Sequence, residues 1–158
     1  MSATPQTFRI EQFPEKIAVV QLGPGAEVPA WAESSSLFSI TATALETSLV
    51  CAARNVPKKG KQAGPFTAFA VQGPLDFSLT GVLATLLQPL AEAEISVFII
   101  STFDTDWVMV PIGDAERATE AWQEAGHEVV AAIPVQAERG ARATSARSRT
   151  KPRESNDR

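Results

Sequence analysis

The sequence predicts an α+β protein: a ferredoxin-like βαββαβ unit preceded by a smaller, degenerate half of the same design. Three observations predict this. Between Phe66 and Val135, apolar runs of strand length and two segments of helical periodicity follow the order strand, helix, strand, strand, helix, strand. Before Pro57, strand-like runs recur with no room for more than one or two helical turns between them. A basic stretch rich in Gly and Pro, VPKKGKQAGP (56–65), separates the two parts. The predicted division is an N-terminal half at 8–57, a linker at 58–65, the βαββαβ unit at 66–135 and a tail at 136–158.

In the first half, KIAVVQL (16–22) reads as a strand and PAWAE (29–33) as a turn or two of helix. SLFSITAT (36–43) and TSLVCAA (47–53) read as two more strands. Neither half alone offers a comfortable core at this size, so their sheets are expected to pack or join. In the second half, FTAFAVQ (66–72) is apolar, β-prone and bounded by AGP and GP. The helix that follows takes Ser78 as N-cap and Phe77 as staple residue. Leu79, Val82, Leu83, Leu86, Leu87 and Leu90 fall on one face of it, and Pro89 is expected to kink or break it. ISVFIIS (95–101) and TDWVMVP (105–111) form two strands joined at TFD as a hairpin. Asp114 can cap a second helix with the stripe Ala115, Ala118, Ala121, Trp122 and Ala125, and Gly126 can end it. EVVAAIPV (128–135) supplies the last strand.

Composition bounds the function. The chain has 158 residues, 44% hydrophobic and 20% charged, the balance of a soluble globular protein. No apolar stretch reaches the roughly 18 residues a membrane span needs. MSATPQTFRIEQFPEK lacks the basic and apolar regions of a secretory signal, so the expected location is the cytoplasm. One cysteine, Cys51, excludes an internal disulfide, and one histidine, His127, excludes an intrachain site needing two imidazoles. Cys51 reads as inert core and His127 as a surface residue at a helix end. No cofactor or metal is indicated. The net charge is −4, although ARATSARSRTKPRESNDR (141–158) is rich in Arg and Ser. That tail is expected to be disordered and solvated, and the acidic remainder argues against nucleic-acid binding by the core.

The stretch ISTFDTDWVMV (100–110) sets two carboxylates, Asp104 and Asp106, between apolar runs. Either can accept hydrogen bonds from an ammonium or a guanidinium. Backbone N–H groups at the helix start near Thr80 and Gly81 suit a carboxylate, and Ser101 and Thr102 offer hydroxyls. The plain reading is a hairpin turn at Asp104-Thr105 with Asp106 as a solvated strand start. A third reading comes from the nucleophile motif of haloacid-dehalogenase-type phosphatases, which Asp104-x-Asp106 resembles. Such a small metal-dependent enzyme needs a doubly wound sheet and further Lys and Ser groups after the motif.

The run GPLDFSLTGVLATLLQPLAEAEISVFIISTFDTDWVMV (73–110) resembles the ACT domains, small ferredoxin-like modules that bind amino acids and regulate other proteins. It is similar in particular to short two-part bacterial ACT proteins, related to the ACT repeats of the cytosolic arginine sensor of animals. Thr80-Gly81, Pro89-Leu90-Ala91, Ile95-Ser96 and STFDTD (101–106) carry the likeness, which is close over 66–130 and looser over 8–57. The resemblance implies a non-enzymatic amino-acid sensor whose ligand is clamped between ACT modules. Carried over by position, it implies Ser96 and Val97 on one side of that interface and Thr102, Phe103 and Asp106 on the other. Thr80 and Gly81 would then approach the ligand through backbone, and Asp106 would meet a cationic group. With one full and one degenerate ACT-like half, the interface implies a homodimer or pairing of the halves. The alternative is a ligand-free dimerisation or adaptor module.

Overall fold

In the computed structural model, which describes residues 6–33, 35–76 and 78–133, the strands of both halves join in one sheet. These are β1 (Arg9–Leu22), β2 (Ser39–Ala42), β3 (Thr47–Ala52), β4 (Gln62–Val71), β5 (Phe98–Ser101), β6 (Asp106–Pro111) and β7 (Glu128–Ala131). Their order is β2-β3-β1-β4-β6-β5, with β7 paired to β1. Helix α1 (Val82–Glu92) follows β4 and α2 (Ala115–Glu124) follows β6, so the fold is α+β with the predicted βαββαβ order. Single 3-10 turns at Ala30–Ala32 and Ala53–Asn55 stand in the first half where the second has helices.

The long β1 differs most from the sequence reading, which starts that strand at Lys16. Pro14 looks like a strand breaker, yet the strand passes through it. Gln12 pairs with Phe69 and Lys16 with Thr67, so Phe13, Pro14 and Glu15 stand opposite the single residue Ala68. Proline, which has no N–H to give a ladder, is tolerated at such a bulge. The bulge lets Arg9–Gln12 continue between β4 and β7, with Ile10 opposite both Val71 and Val129. The β1·β7 pairing is parallel, and every other pairing is antiparallel. β4 begins at Gln62, inside the stretch that reads as a linker.

One sheet face carries both helices. Phe69, Val71, Val108 and Val110 meet Val82, Leu86 and Leu90 of α1 and Ala118 and Trp122 of α2. Burying each such aliphatic side chain contributes about 1.5–3 kcal/mol. Trp122 anchors the layer, edge-on to Phe69 with ring centroids 4.9 Å apart, and its Nε1–H donates to the Leu86 carbonyl at 2.8 Å. Ile17, Val50, Ala68 and Met109 form a second cluster, against which Trp107 and Phe98 pack. Cys51 is fully buried with Ala18, Val20 and Leu49 in a third.

Helix ends depart from the simple caps. Asp76, not Ser78, organises the entry to α1: its carboxylate accepts the Ser78 N–H at 2.7 Å, leaving Gly81 as N-cap in the left-handed region at φ 76°. Leu79 therefore lies before the helix and is exposed. Phe77, the expected staple, lies outside the described residues, as do Pro134, Val135 and the tail. Asp114 precedes α2, but its carboxylate pairs with Arg117 at 2.7 Å rather than with a helix N–H. Gly126 ends α2 as predicted, with φ 93°. Gly126 N–H bonds Gln123 O and His127 N–H bonds Trp122 O, the paired bonds of a Schellman stop.

Helix α1 runs unbroken through Pro89. Pro89 has no N–H for the carbonyl of Thr85, four residues earlier. The His127 ring supplies the missing donor to Thr85, while its Nδ1 accepts the Phe8 N–H at 3.1 Å. His127 is thus 5% exposed, contrary to the surface placement predicted from its position after Gly126. Burial pushes its imidazole pKa down, outweighing the opposing effect of the Thr85 bond.

Candidate functional site

The chain entering α1 and the β5–β6 hairpin enclose a cleft of about 370 Å³. Its hairpin wall is built locally. Ser101 pairs with Asp106, and the turn closes through Thr102 N–H to Thr105 O at 2.8 Å. The Thr102 hydroxyl also reaches Thr105 O at 3.0 Å, so this turn is doubly fastened. Asp104 is a turn residue whose carbonyl accepts the Leu75 N–H at 2.8 Å. A Cβ on Gly73 would lie 2.8 Å from that same carbonyl, so only glycine lets the strand exit approach the hairpin. The Thr105 hydroxyl donates to the Val71 carbonyl and ties the turn to β4.

Asp106 enters the cleft on the first residue of β6, and its Oδ1 accepts the Ser101 hydroxyl at 2.5 Å. That bond orients the carboxylate and leaves Oδ2 without a hydrogen bond among the described residues. The opposite wall is the first turn of α1. Thr85 N–H is the first to find an intrahelical acceptor, Gly81 O at 2.9 Å. The N–H groups of Val82, Leu83 and Ala84 therefore face outward with the positive end of the helix dipole, and no side chain caps them. Asp76 stands at the rim, its carboxyl held below the usual range chiefly by the Ser78 hydroxyl and also by the Ser78 N–H. The cleft thus carries N–H donors and Asp76 on the α1 side and Asp104 and Asp106 on the hairpin side, with no basic side chain among its described lining residues.

Of the residues implied by resemblance, Gly81, Thr102, Phe103 and Asp106 line this cleft. Thr80 is exposed and adjoins it through Gly81. Ser96 and Val97 precede β5, about 20 Å of extended chain from Thr102, and do not line the cleft. Sequence reading missed Leu75, Asp76, Leu83 and Ala84 as wall residues. The Asp76-x-Ser78 spacing, which favours an Asx turn, is the signal that could have found this wall. Asp104 and Asp106 both line the cleft but are not an equal pair, since Asp104 lies in the turn and Asp106 begins β6. Among the described residues no cluster of His, Cys, Asp and Glu is arranged to hold a metal ion. The largely antiparallel sheet is also not the doubly wound sheet that the phosphatase reading requires.

Residues 64–124 match the family model of the ACT domain. Residues 15–59 match a second family model described only as an N-terminal domain. No curated protein sequence matches the chain. Among solved structures, a protein from Agobacterium tumefaciens is 29% identical with a TM-score of 0.75, over 81% of this chain and 96% of that one. A Vibrio cholerae protein of unknown function, described as a possible transport protein, is 18% identical with a TM-score of 0.63, over 75% and 90%. The regulatory subunit of aspartate kinase from Thermus flavus is 12% identical with a TM-score of 0.53, over 74% and 96%. Among the described residues no helix is long and apolar enough to cross a membrane.

Proposed function

We propose, from the match of residues 64–124 to the ACT-domain family model, a non-enzymatic regulatory protein of the cytoplasm that binds a free amino acid in the cleft between α1 and the β5–β6 hairpin. The observation that carries the reading is the opposition of uncapped α1 N–H groups to the Asp106 carboxylate. A zwitterion has the complementary pair of charges: its carboxylate suits the helix start, and its ammonium suits Asp106. At about 370 Å³ the cleft lies within the usual range for small-ligand sites. A homodimer fits its open side, because Phe103 stands 79% exposed at the hairpin tip, where a second module could cover ligand and phenyl ring together. Ligand and module contact would then be coupled, so binding would shift the assembly and its regulated partner.

The second reading, a ligand-free adaptor, is favoured by the same Phe103 ring, a large apolar group exposed at the hairpin tip where a second protein surface could cover it. Calorimetry with the twenty amino acids separates the two. The sensor reading predicts one or a few ligands at millimolar affinity or tighter, weakened about tenfold or more by Asp106→Asn. Failure of every amino acid up to about 10 mM, with a stable dimer retained, would leave the adaptor.

A further inference from the structure

A larger cavity, about 860 Å³, lies away from the cleft, where β1 and β4 lose their regular ladder. It sits at two consecutive irregularities. Phe13–Glu15 bulge from β1, and Gly64 with Pro65 bulges from β4 between the pairs Ile17↔Phe66 and Val19↔Ala63. Gly64 has φ 122°, which disfavours any other residue, and its Cβ would meet Ile17 O at 3.0 Å. Bulges of this kind often re-aim side chains next to functional sites.

The charged groups here are arranged rather than scattered. The Ser36 N–H (2.7 Å) and hydroxyl hold Glu15, and Glu15 in turn binds Arg54. Burial raises the Glu15 pKa, but the Ser36 and Arg54 bonds outweigh it and keep the carboxyl below its usual range. Glu15 is therefore a fixed anion that orients Arg54 at the cavity wall. Lys16 lines the same wall, and its side chain has no hydrogen bond or ion pair among the described residues. The segment between the lining residues Arg54 and Gln62 also carries Lys58, Lys59 and Lys61, which do not line the cavity. Two cations, Lys16 and Arg54, thus line the cavity beside the paired Glu15 carboxylate, while Pro14, Ala53 and Pro65 give it apolar walls.

We propose that this cavity is a second ligand site, distinct from the cleft, for an organic anion whose phosphate or carboxylate groups meet Lys16 and Arg54 while its carbon body rests on the proline walls. The shared chemistry is a multiply charged oxyanion, for which a bidentate guanidinium and a mobile ammonium are the usual partners. The test is a titration of the full-length protein with phenyl phosphate, succinate and, as the uncharged control, phenol, followed by amide NMR shifts. Saturable shifts at Lys16, Ala53, Arg54 and Gln62 are expected, with affinity falling about tenfold in Lys16→Gln. Saturation by phenyl phosphate alone assigns a phosphate ester, and saturation by succinate alone assigns a dicarboxylate. Three results overturn the proposal: no saturation by about 10 mM, an equal response to phenol, or shifts at every lysine that Lys16→Gln leaves unchanged.

Discussion

His127 gives the sharpest quantitative prediction. Its neutral ring does two jobs at once, accepting the Phe8 N–H at Nδ1 and donating to the Thr85 carbonyl that Pro89 leaves without a partner. Protonation places a second N–H against Phe8, so an acceptor becomes a donor facing a donor. A part-buried N–H deprived of its partner costs about 1–3 kcal/mol, and for a chain of this length each kcal/mol moves Tm by about 2–4 °C. The sign follows from linkage. Burial lowers the folded-state pKa, so the unfolded chain, titrating near 6.5, takes up the proton first as pH falls. The contribution is therefore complete above about pH 6.5 and is lost on acidification below it. Thermal unfolding followed by circular dichroism between pH 7.5 and 5.5 should show a larger fall in Tm for the wild type than for His127→Gln, whose amide can keep both bonds without titrating. A double-mutant cycle adds a structural check. His127→Ala should cost about 2–5 kcal/mol alone, and measurably less in a Pro89→Ala background, where residue 89 regains the N–H that Thr85 lacks. Equal pH dependence in His127→Gln, or additivity within about 0.5 kcal/mol in the cycle, would refute the bridging role.

Two further outcomes follow from close packing. Gly73→Ala places a Cβ 2.8 Å from the Asp104 carbonyl and should cost about 1–3 kcal/mol in denaturant unfolding; an unchanged midpoint would show that the loop and hairpin are not in contact. Cys51, fully buried with its thiol pKa pushed up by burial and by the nearby Glu15 charge, should react with a disulfide reagent about a hundredfold or more slower in the folded than in the unfolded protein. Labelling at the rate of a free thiol would contradict its placement between β1 and β2.

The second half was legible because its signals are local. The periodic apolar face of α1, the hairpin at Thr102–Thr105 and the stop at Gly126 each depend on neighbours within a few residues. The early part of β1 was not, because Pro14 reads as a breaker unless a bulge removes the need for its N–H. That bulge is specified by β4, more than fifty residues later. The same distance hid the pairing of β7 with β1 and the burial of His127, whose partners Phe8 and Thr85 come from two other elements. At the candidate cleft, the hairpin wall follows a local signal in the sequence, but the opposing wall depends on an Asx turn at Asp76 that displaces the helix start to Val82. Ser96 and Val97, implied only by resemblance, precede β5 at the end away from the hairpin turn.

The cleft is tested most directly by an amide NMR titration of the full-length protein with the amino acids that calorimetry selects. Saturable shifts are expected at Val82, Leu83 and Ala84 on one wall and at Ser101, Thr102 and Asp106 on the other, both moving together to about tenfold or more higher ligand concentration in Asp106→Asn. A saturable ligand whose shifts lie outside both walls, or no amino acid that saturates any amide, would contradict this placement.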